Sequence, residues 1–269
     1  MPNYGKVKTD DASRGIALLI SMYFPPEFLG GSTGAWNRAM VLHKIGYSVF
    51  VLCGFPSFPT GKVTDPKYKG KLFYVENNYY PFTVIRIRLL PISHQGVVRR
   101  LIIFLNFIFL SILYLPRVLK ITGNIDLVYA RAPIVFSSLI GYAYSRSAKS
   151  FFIYEAPDLW PEELIVVKIR FLPLIIPIGK IAAKLSYRTP HVIVTIGELA
   201  AEYIKKEYKP KAPVFGIPVG VDPAKFTKLS KQSARHNLIE KGLLPAQLLD
   251  QFIVLYSGRI SEAQHVESL

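Results

Sequence analysis

An α/β fold, a Rossmann-like parallel sheet with helices on both faces, is what this sequence predicts, and three observations predict it. Short apolar runs alternate with longer stretches of helical period along residues 15–224. Most of the short runs are continuously apolar, as strands are when both faces of a parallel sheet are covered. The 269 residues are 51% hydrophobic, ample to bury the core that such a sheet needs.

Taken in order, a polar leader (residues 1–14) opens the chain and is too charged to be an export signal. Strands are expected at 16–21, 47–53, 83–89, 126–131, 150–154 and 192–196. Helices are expected at 33–45, 97–122, 134–147, 171–187 and 198–208. Ligands of doubly wound sheets sit at the carboxyl ends of strands, so the loops after Ser21, Cys53, Arg131 and Tyr154 are where a site is expected. The acceptor-side domain so defined runs from 15 to 224. Residues 225–250 mix charged and polar positions with Leu-rich helical pieces and read as a linker. Residues 251–269 open with a strand-like run, FIVLYS, and the turn Gly258-Arg259. A lone strand buries almost nothing, so these residues are expected to begin a second domain without containing it, a truncated arrangement.

Composition narrows the chemistry. Cys53 is the single cysteine and ends an apolar run, so it reads as a core residue, and no disulfide framework can form. The five histidines are scattered with no close pair on one helical face, so no metal site is expected. Lys and Arg outnumber Asp and Glu by 33 to 18, a formal charge of +15. Nucleic acid, anionic lipid head groups and phosphorylated small molecules all fit that excess, as does a basic surface with no partner. No basic-aromatic module of the nucleic-acid type is visible, so nucleic acid is not expected. The scarcity of cysteine fits a reducing, cytoplasmic setting.

Three segments carry candidate chemistry. The first strand runs into Tyr23-Phe24-Pro25-Pro26-Glu27 and then Gly30-Gly31-Ser32-Thr33-Gly34 ahead of a helix. Glycines there let the backbone approach a ligand, helix-start amides favour an anion, and Ser32 or Thr33 fits an N-cap; a plain tight turn fits too. The fifth strand ends in Tyr154-Glu155-Ala156-Pro157-Asp158-Leu159-Trp160-Pro161-Glu162. Pro161 suits a first helical position and Asp158 an N-cap. Equally, Glu155 and Asp158 lie where a strand delivers side chains to the ligand crevice, and a carboxylate there can orient a sugar hydroxyl or take its proton. The third is the strand VIVT at 192–195 with its following helix, and the Gly/Pro/Asp turn IPVGVDPAKF.

In this order the segments YFPPEFLGGSTGAW, GYSVFVLCGFPSFPTGKV, APDLWPE, VIVTIGELAAEYI, IPVGVDPAKF and VLYSGRISEAQ resemble the family 4 glycosyltransferases of the GT-B fold. The likeness spans about residues 16–264 and is nearest the branch that builds surface polysaccharides and lipid-linked sugars. It implies two Rossmann-like domains facing across a cleft, the first holding the acceptor and the second a nucleotide-sugar. It also implies a retaining, metal-independent transfer with no cofactor, the nucleotide-sugar being a substrate. On that resemblance Gly30 and Gly31 fall on the glycine loop near the donor. Asp158 falls near the reacting centre, and Arg259 on a donor-phosphate contact. The sequence departs from the family where Pro157 replaces an arginine, Val219 an asparagine and Gln264-His265 a Lys-Gly pair. The family's later phosphate- and ribose-binding segments have no counterpart before Leu269.

Residues 101–115 form an apolar run broken by Asn106 and Ser111, with Arg99, Arg100, Arg117 and Lys120 beside it. As a helix it would extend roughly 22 Å, short of a bilayer core of ~30 Å, so it is not expected to span. Residues 164–185 add a second apolar stretch punctuated by lysine and arginine. Ordinary core helices or peripheral contact with an anionic membrane both fit, the latter placing the protein on the inner face of the cell membrane. The function expected is transfer of a sugar from a nucleotide-sugar donor to a lipid-linked or glycan acceptor, by a chain inactive alone if truncated. A non-catalytic module gripping an acceptor or partner transferase, and another sugar-nucleotide enzyme such as an epimerase, remain alternatives.

Overall fold

In the computed structural model, which describes residues 14–27, 30–77, 81–131, 136–162, 172–220, 229–256 and 258, the apolar runs pair into a sheet. Its strands are β1 (Ile16–Ile20), β2 (Ser48–Gly54), β3 (Phe73–Glu76), β4 (Thr83–Ile87), β5 (Leu127–Arg131), β6 (Phe151–Glu155), β7 (Val192–Thr195) and β8 (Val214–Gly216). They lie in the order β3-β4-β2-β1-β5-β6-β7-β8, every pair parallel except β3 with β4. The switch point falls between β1 and its two neighbours: β1 pairs with β2 on one side and with β5 on the other. The fold class is the α/β, Rossmann-like one expected.

The helices are α1 (Gly30–Lys44), α2 (Val97–Leu113), α3 (Leu115–Thr122), α4 (Ser137–Ala148), α5 (Leu172–Arg188), α6 (Glu198–Tyr208) and α7 (Lys231–Glu240). On one side of the sheet Ala35, Trp36, Ala39 and Met40 of α1 pack with Leu19, Val51 and Tyr129. On the other, Ile103 and Phe107 of α2, Ile140 and Tyr144 of α4, Ala183 of α5 and Ile204 of α6 pack with Leu18, Ile85, Val128 and Phe152. Alternate residues of each strand therefore enter different cores, which is why the strands read as continuous apolar runs. Gly141 lets α4 sit close to the sheet: a Cβ there would lie 2.2 Å from the Phe152 ring.

Four details differ from the sequence reading. The helix expected at 97–122 is two, α2 and α3, bent by 58° across Tyr114, because Pro116 in the first turn of α3 lacks the N–H that would continue the ladder. Strands β3 and β8 were not foreseen; they have only four and three residues. Ser32 does not cap α1 through its side chain; its hydroxyl donates to the Glu27 carbonyl oxygen at 2.5 Å. Residues 252–256 are not in strand conformation, and Phe252, Val254 and Leu255 stay exposed. The chain divides into two compact units, Met1–Pro218 and Val219–Leu269. In the second, α7 is capped by Ser230, whose hydroxyl accepts from the Ser233 N–H.

Candidate functional site

The parallel register sets Arg131, the last residue of β5, directly beside Glu155, the last of β6. Tyr129 lies two residues before Arg131 and so projects from the same face of the sheet. From α1, which packs on that face, comes Arg38. All three converge on Glu155, which is 1% exposed. Arg38 donates to both carboxylate oxygens at 3.2 and 3.1 Å, Arg131 Nε to Oε1 at 3.3 Å, and the Tyr129 hydroxyl to Oε2 at 2.8 Å. Burial disfavours the charge on Arg38, but Glu155 and then Tyr129 outweigh it and hold its pKa above the ordinary arginine value. Burial, followed by the neighbouring Glu155 charge, pushes the Tyr129 phenol well up, so it remains a donor.

The cluster grips the glycine turn. Arg131 Nη1 donates to the Gly31 carbonyl oxygen at 2.9 Å. The guanidinium passes so close to α1 that a Cβ on Gly34 would lie 2.7 Å from Nη2. Gly30 and Gly31 open α1 rather than preceding it, and Gly34 supplies the close approach. At the other end of the turn Glu27, also buried, accepts from the Ser57 and Phe58 N–H groups, both at 2.8 Å and both through Oε1. Burial raises the Glu27 pKa against the lowering effect of those amides. Beside it the Tyr23 hydroxyl meets His94 Nδ1 at 2.8 Å, and His94 Nε2 lies 3.4 Å from the Ser57 hydroxyl. Burial and then the Arg100 charge lower the His94 pKa, favouring the neutral imidazole. Arg86, fully buried, ties this end down by donating to the carbonyl oxygens of Pro25 and Gly54 and facing Glu76 at 3.2 Å.

The predicted site residues therefore fare differently. Glu155 is at the carboxyl edge as expected, and both of its oxygens accept hydrogen bonds, from Arg38, Tyr129 and the Arg131 that also holds Gly31. Asp158 is exposed in the bend beyond β6, and its charge, after burial and Tyr187, helps keep the Tyr154 phenol protonated. Gly31 is held by Arg131, and Gly30 precedes it at the start of α1. Arg259 lies outside the described residues. Arg38, Arg131, Tyr129 and His94 were not singled out from the sequence. The signal for two of them was the strand-end alternation Tyr129-x-Arg131; Arg38 and His94 reach the edge only through the tertiary fold.

No protein-family model and no curated protein matches the sequence. Solved structures do match in shape. Sucrose-phosphate synthase from Thermosynechococcus elongatus has a TM-score of 0.59 at 14% identity, covering 84% of this chain and 53% of that one. The catalytic domain of starch synthase IV from Arabidopsis thaliana has 0.54 at 12% identity, covering 86% and 60%. The N-terminal domain of Candida albicans trehalose-6-phosphate phosphatase has 0.50 at 10% identity, covering 89% and 56%. This chain spans little more than half the length of those proteins. At such identities the likeness is one of fold: a Rossmann-like α/β half, of the kind that GT-B glycosyltransferases contain.

Proposed function

We propose that this chain is the acceptor-side half of a retaining, metal-independent glycosyltransferase, similar to family 4 and its surface-polysaccharide branch. It would move a sugar from a nucleotide-sugar donor to a lipid-linked or glycan hydroxyl. The observation that carries the reading is the clamp Arg38–Glu155–Arg131–Gly31, which fixes the glycine-rich first turn of α1 at the carboxyl edge of β1, β5 and β6. A turn held that way presents backbone amides to a ligand without reorganisation, as binding of a developing diphosphate demands. The shared fold supports it, as does the starch synthase, whose structure is bound to ADP and acarbose. Asp158, exposed at the same edge, is the group proposed to orient or deprotonate the acceptor, and Arg259 to meet the donor phosphates.

Membrane contact belongs to the same reading. The outward face of α2 is apolar: Val98, Leu101, Ile102, Leu105, Phe109, Ile112 and Leu113 are all exposed, while Ile103 and Phe107 fill the core. A helix apolar all round that is buried on one side only has a second apolar surface to cover. Exposed Arg99, Arg117 and Lys120 border it, which suits an anionic lipid surface at the inner face of the membrane, near a lipid-linked acceptor. Among the described residues no single helix is long and apolar enough to cross a membrane; the bent pair α2–α3 passes that test by length and composition together.

The test is a transfer assay with a panel of nucleotide-sugars and lipid or glycan acceptors, using the chain alone and with a donor domain fused after Gln264. Transfer by the fused form, abolished in Arg131→Ala, is expected. Transfer by neither form, with acceptor binding retained, would overturn the enzyme reading in favour of a binding module.

A further inference from the structure

At the amino end of the strands, opposite the glycine turn, lies a cavity of about 360 Å³. It is lined by Tyr142, Arg146 and Lys149 from the end of α4, by Ser150 ahead of β6, and by Thr189 and His191 ahead of β7. Among the described residues no carboxylate lines it. Arg146 and Lys149 make no ion pair or side-chain hydrogen bond among the described residues. His191 Nδ1 accepts the Phe152 N–H at 2.9 Å, so the neutral ring carries its proton on Nε2 and offers it as a donor. Stacking on Phe151, with ring centroids 4.9 Å apart, fixes the ring plane. Ser150 is 7% exposed, and its buried hydroxyl has no partner among the described residues. Such a group destabilises the fold unless something supplies the missing bond.

Neutralisation of the α4 carboxyl end accounts for two cations there. It accounts neither for the orphan hydroxyl nor for an imidazole whose tautomer leaves a donor over. We propose that this cavity is a binding site for a phosphate ester. Arg146 takes two phosphate oxygens side by side, Lys149 contributes a point charge, and His191 Nε2–H and the Ser150 hydroxyl donate the remaining bonds. The half-exposed Tyr142 ring offers a face to the esterified group. The site stands apart from the glycine turn, and its existence does not depend on the transferase reading.

Calorimetry of the 269-residue chain with inorganic phosphate, pyrophosphate and a hexose phosphate tests it, alongside sedimentation with phosphatidic acid and phosphatidylcholine vesicles. Saturable binding is expected, weakened about tenfold or more in Arg146→Ala/Lys149→Ala as charge-assisted bonds are lost. Lys209→Ala is the control: Lys209 ends α6 in the same left-handed conformation as Lys149 ends α4, yet lies outside the cavity. Ser150→Ala is expected to weaken binding about threefold while the ligand-free protein unfolds at the same denaturant concentration or a higher one, since no existing bond is lost. Should the double variant fail to fold, Ser150→Ala carries the test. Binding of soluble esters assigns a free metabolite. Binding of phosphatidic acid alone, reduced by Ser150→Ala, assigns the same phosphate chemistry to a lipid head group. No binding of any phosphate compound, or equal losses in Lys209→Ala and the cavity variants, overturns the proposal.

Discussion

Glu155 sits 1% exposed between two arginines and a tyrosine, so its removal and its neutralisation have different consequences. Glu155→Gln keeps the shape but leaves Arg38 and Arg131 facing each other without an anion. Breaking a buried pair from one side costs about 3–5 kcal/mol, and denaturant unfolding should show a loss of that order. A change below about 1 kcal/mol would mean that water already screens the cluster. Gly34→Ala sets two effects against each other: alanine gains about 1 kcal/mol of helix propensity, but its Cβ would displace Arg131 from Gly31 and Glu155. The displaced contacts include a charge-assisted pair, so net destabilisation is expected. His94 gives the pH dependence. Its folded pKa is lowered, so the unfolded chain binds the proton more readily, and stability falls as pH drops from about 6.5 towards the folded value. The slope is at most about 1.4 kcal/mol per pH unit, and His94→Gln should flatten it. Glu27, whose pKa is raised, acts in the opposite sense at lower pH, because the folded state takes up its proton first. A slope unchanged in His94→Gln would assign the acid sensitivity to other groups.

Among the elements, α2 separates packing from surface function within one turn. Phe107 is 2% exposed and Phe109 is 64% exposed, so the two alanine substitutions should behave as different experiments. Phe107→Ala opens a cavity under the helix and should cost about 3–5 kcal/mol in unfolding free energy. Phe109→Ala should leave stability within about 0.5 kcal/mol and reduce sedimentation with anionic vesicles, most clearly when combined with Leu113→Ala. Rising salt should release the bound protein, since exposed charge is screened within ~10 Å at 0.1 M. Equal binding to neutral and anionic vesicles would remove the basic border from the account. How far the elements were legible follows from the same contrast. The long strands and helices announced themselves through continuous apolar runs, because both faces of the sheet are covered. Strand β3 did not, since its Glu76 is buried against Arg86 on the strand beside it, Lys67 and the Tyr68 hydroxyl. The break at Tyr114 was hidden inside an apolar run and depends on one proline.

At the scale of the whole molecule, the order of segments was enough to reach the α/β sheet and its carboxyl edge, whereas the make-up of the site was only half legible. Glu155 was visible as a strand-end carboxylate, but its partners come from α1 and β5 and meet it only because β1, β5 and β6 are neighbours. On the proposed function, that occupancy leaves Asp158, exposed three residues further on, as the acid that would act on the acceptor. In a transferase with a donor domain fused after Gln264, the two acids should therefore separate. Glu155→Gln should lose stability, and activity with it, as the glycine turn loosens. Asp158→Asn should leave unfolding unchanged and lower kcat by on the order of 10²-fold, because an amide cannot take the acceptor proton. Asp158→Ala should match that rate loss. A cap would instead tolerate Asn and lose stability only with Ala, typically by ~1 kcal/mol. Wild-type kcat and KM in Asp158→Asn would remove Asp158 from the reaction. The acceptor proton would then have to pass to the donor phosphate or to solvent, since both oxygens of Glu155 are already bonded.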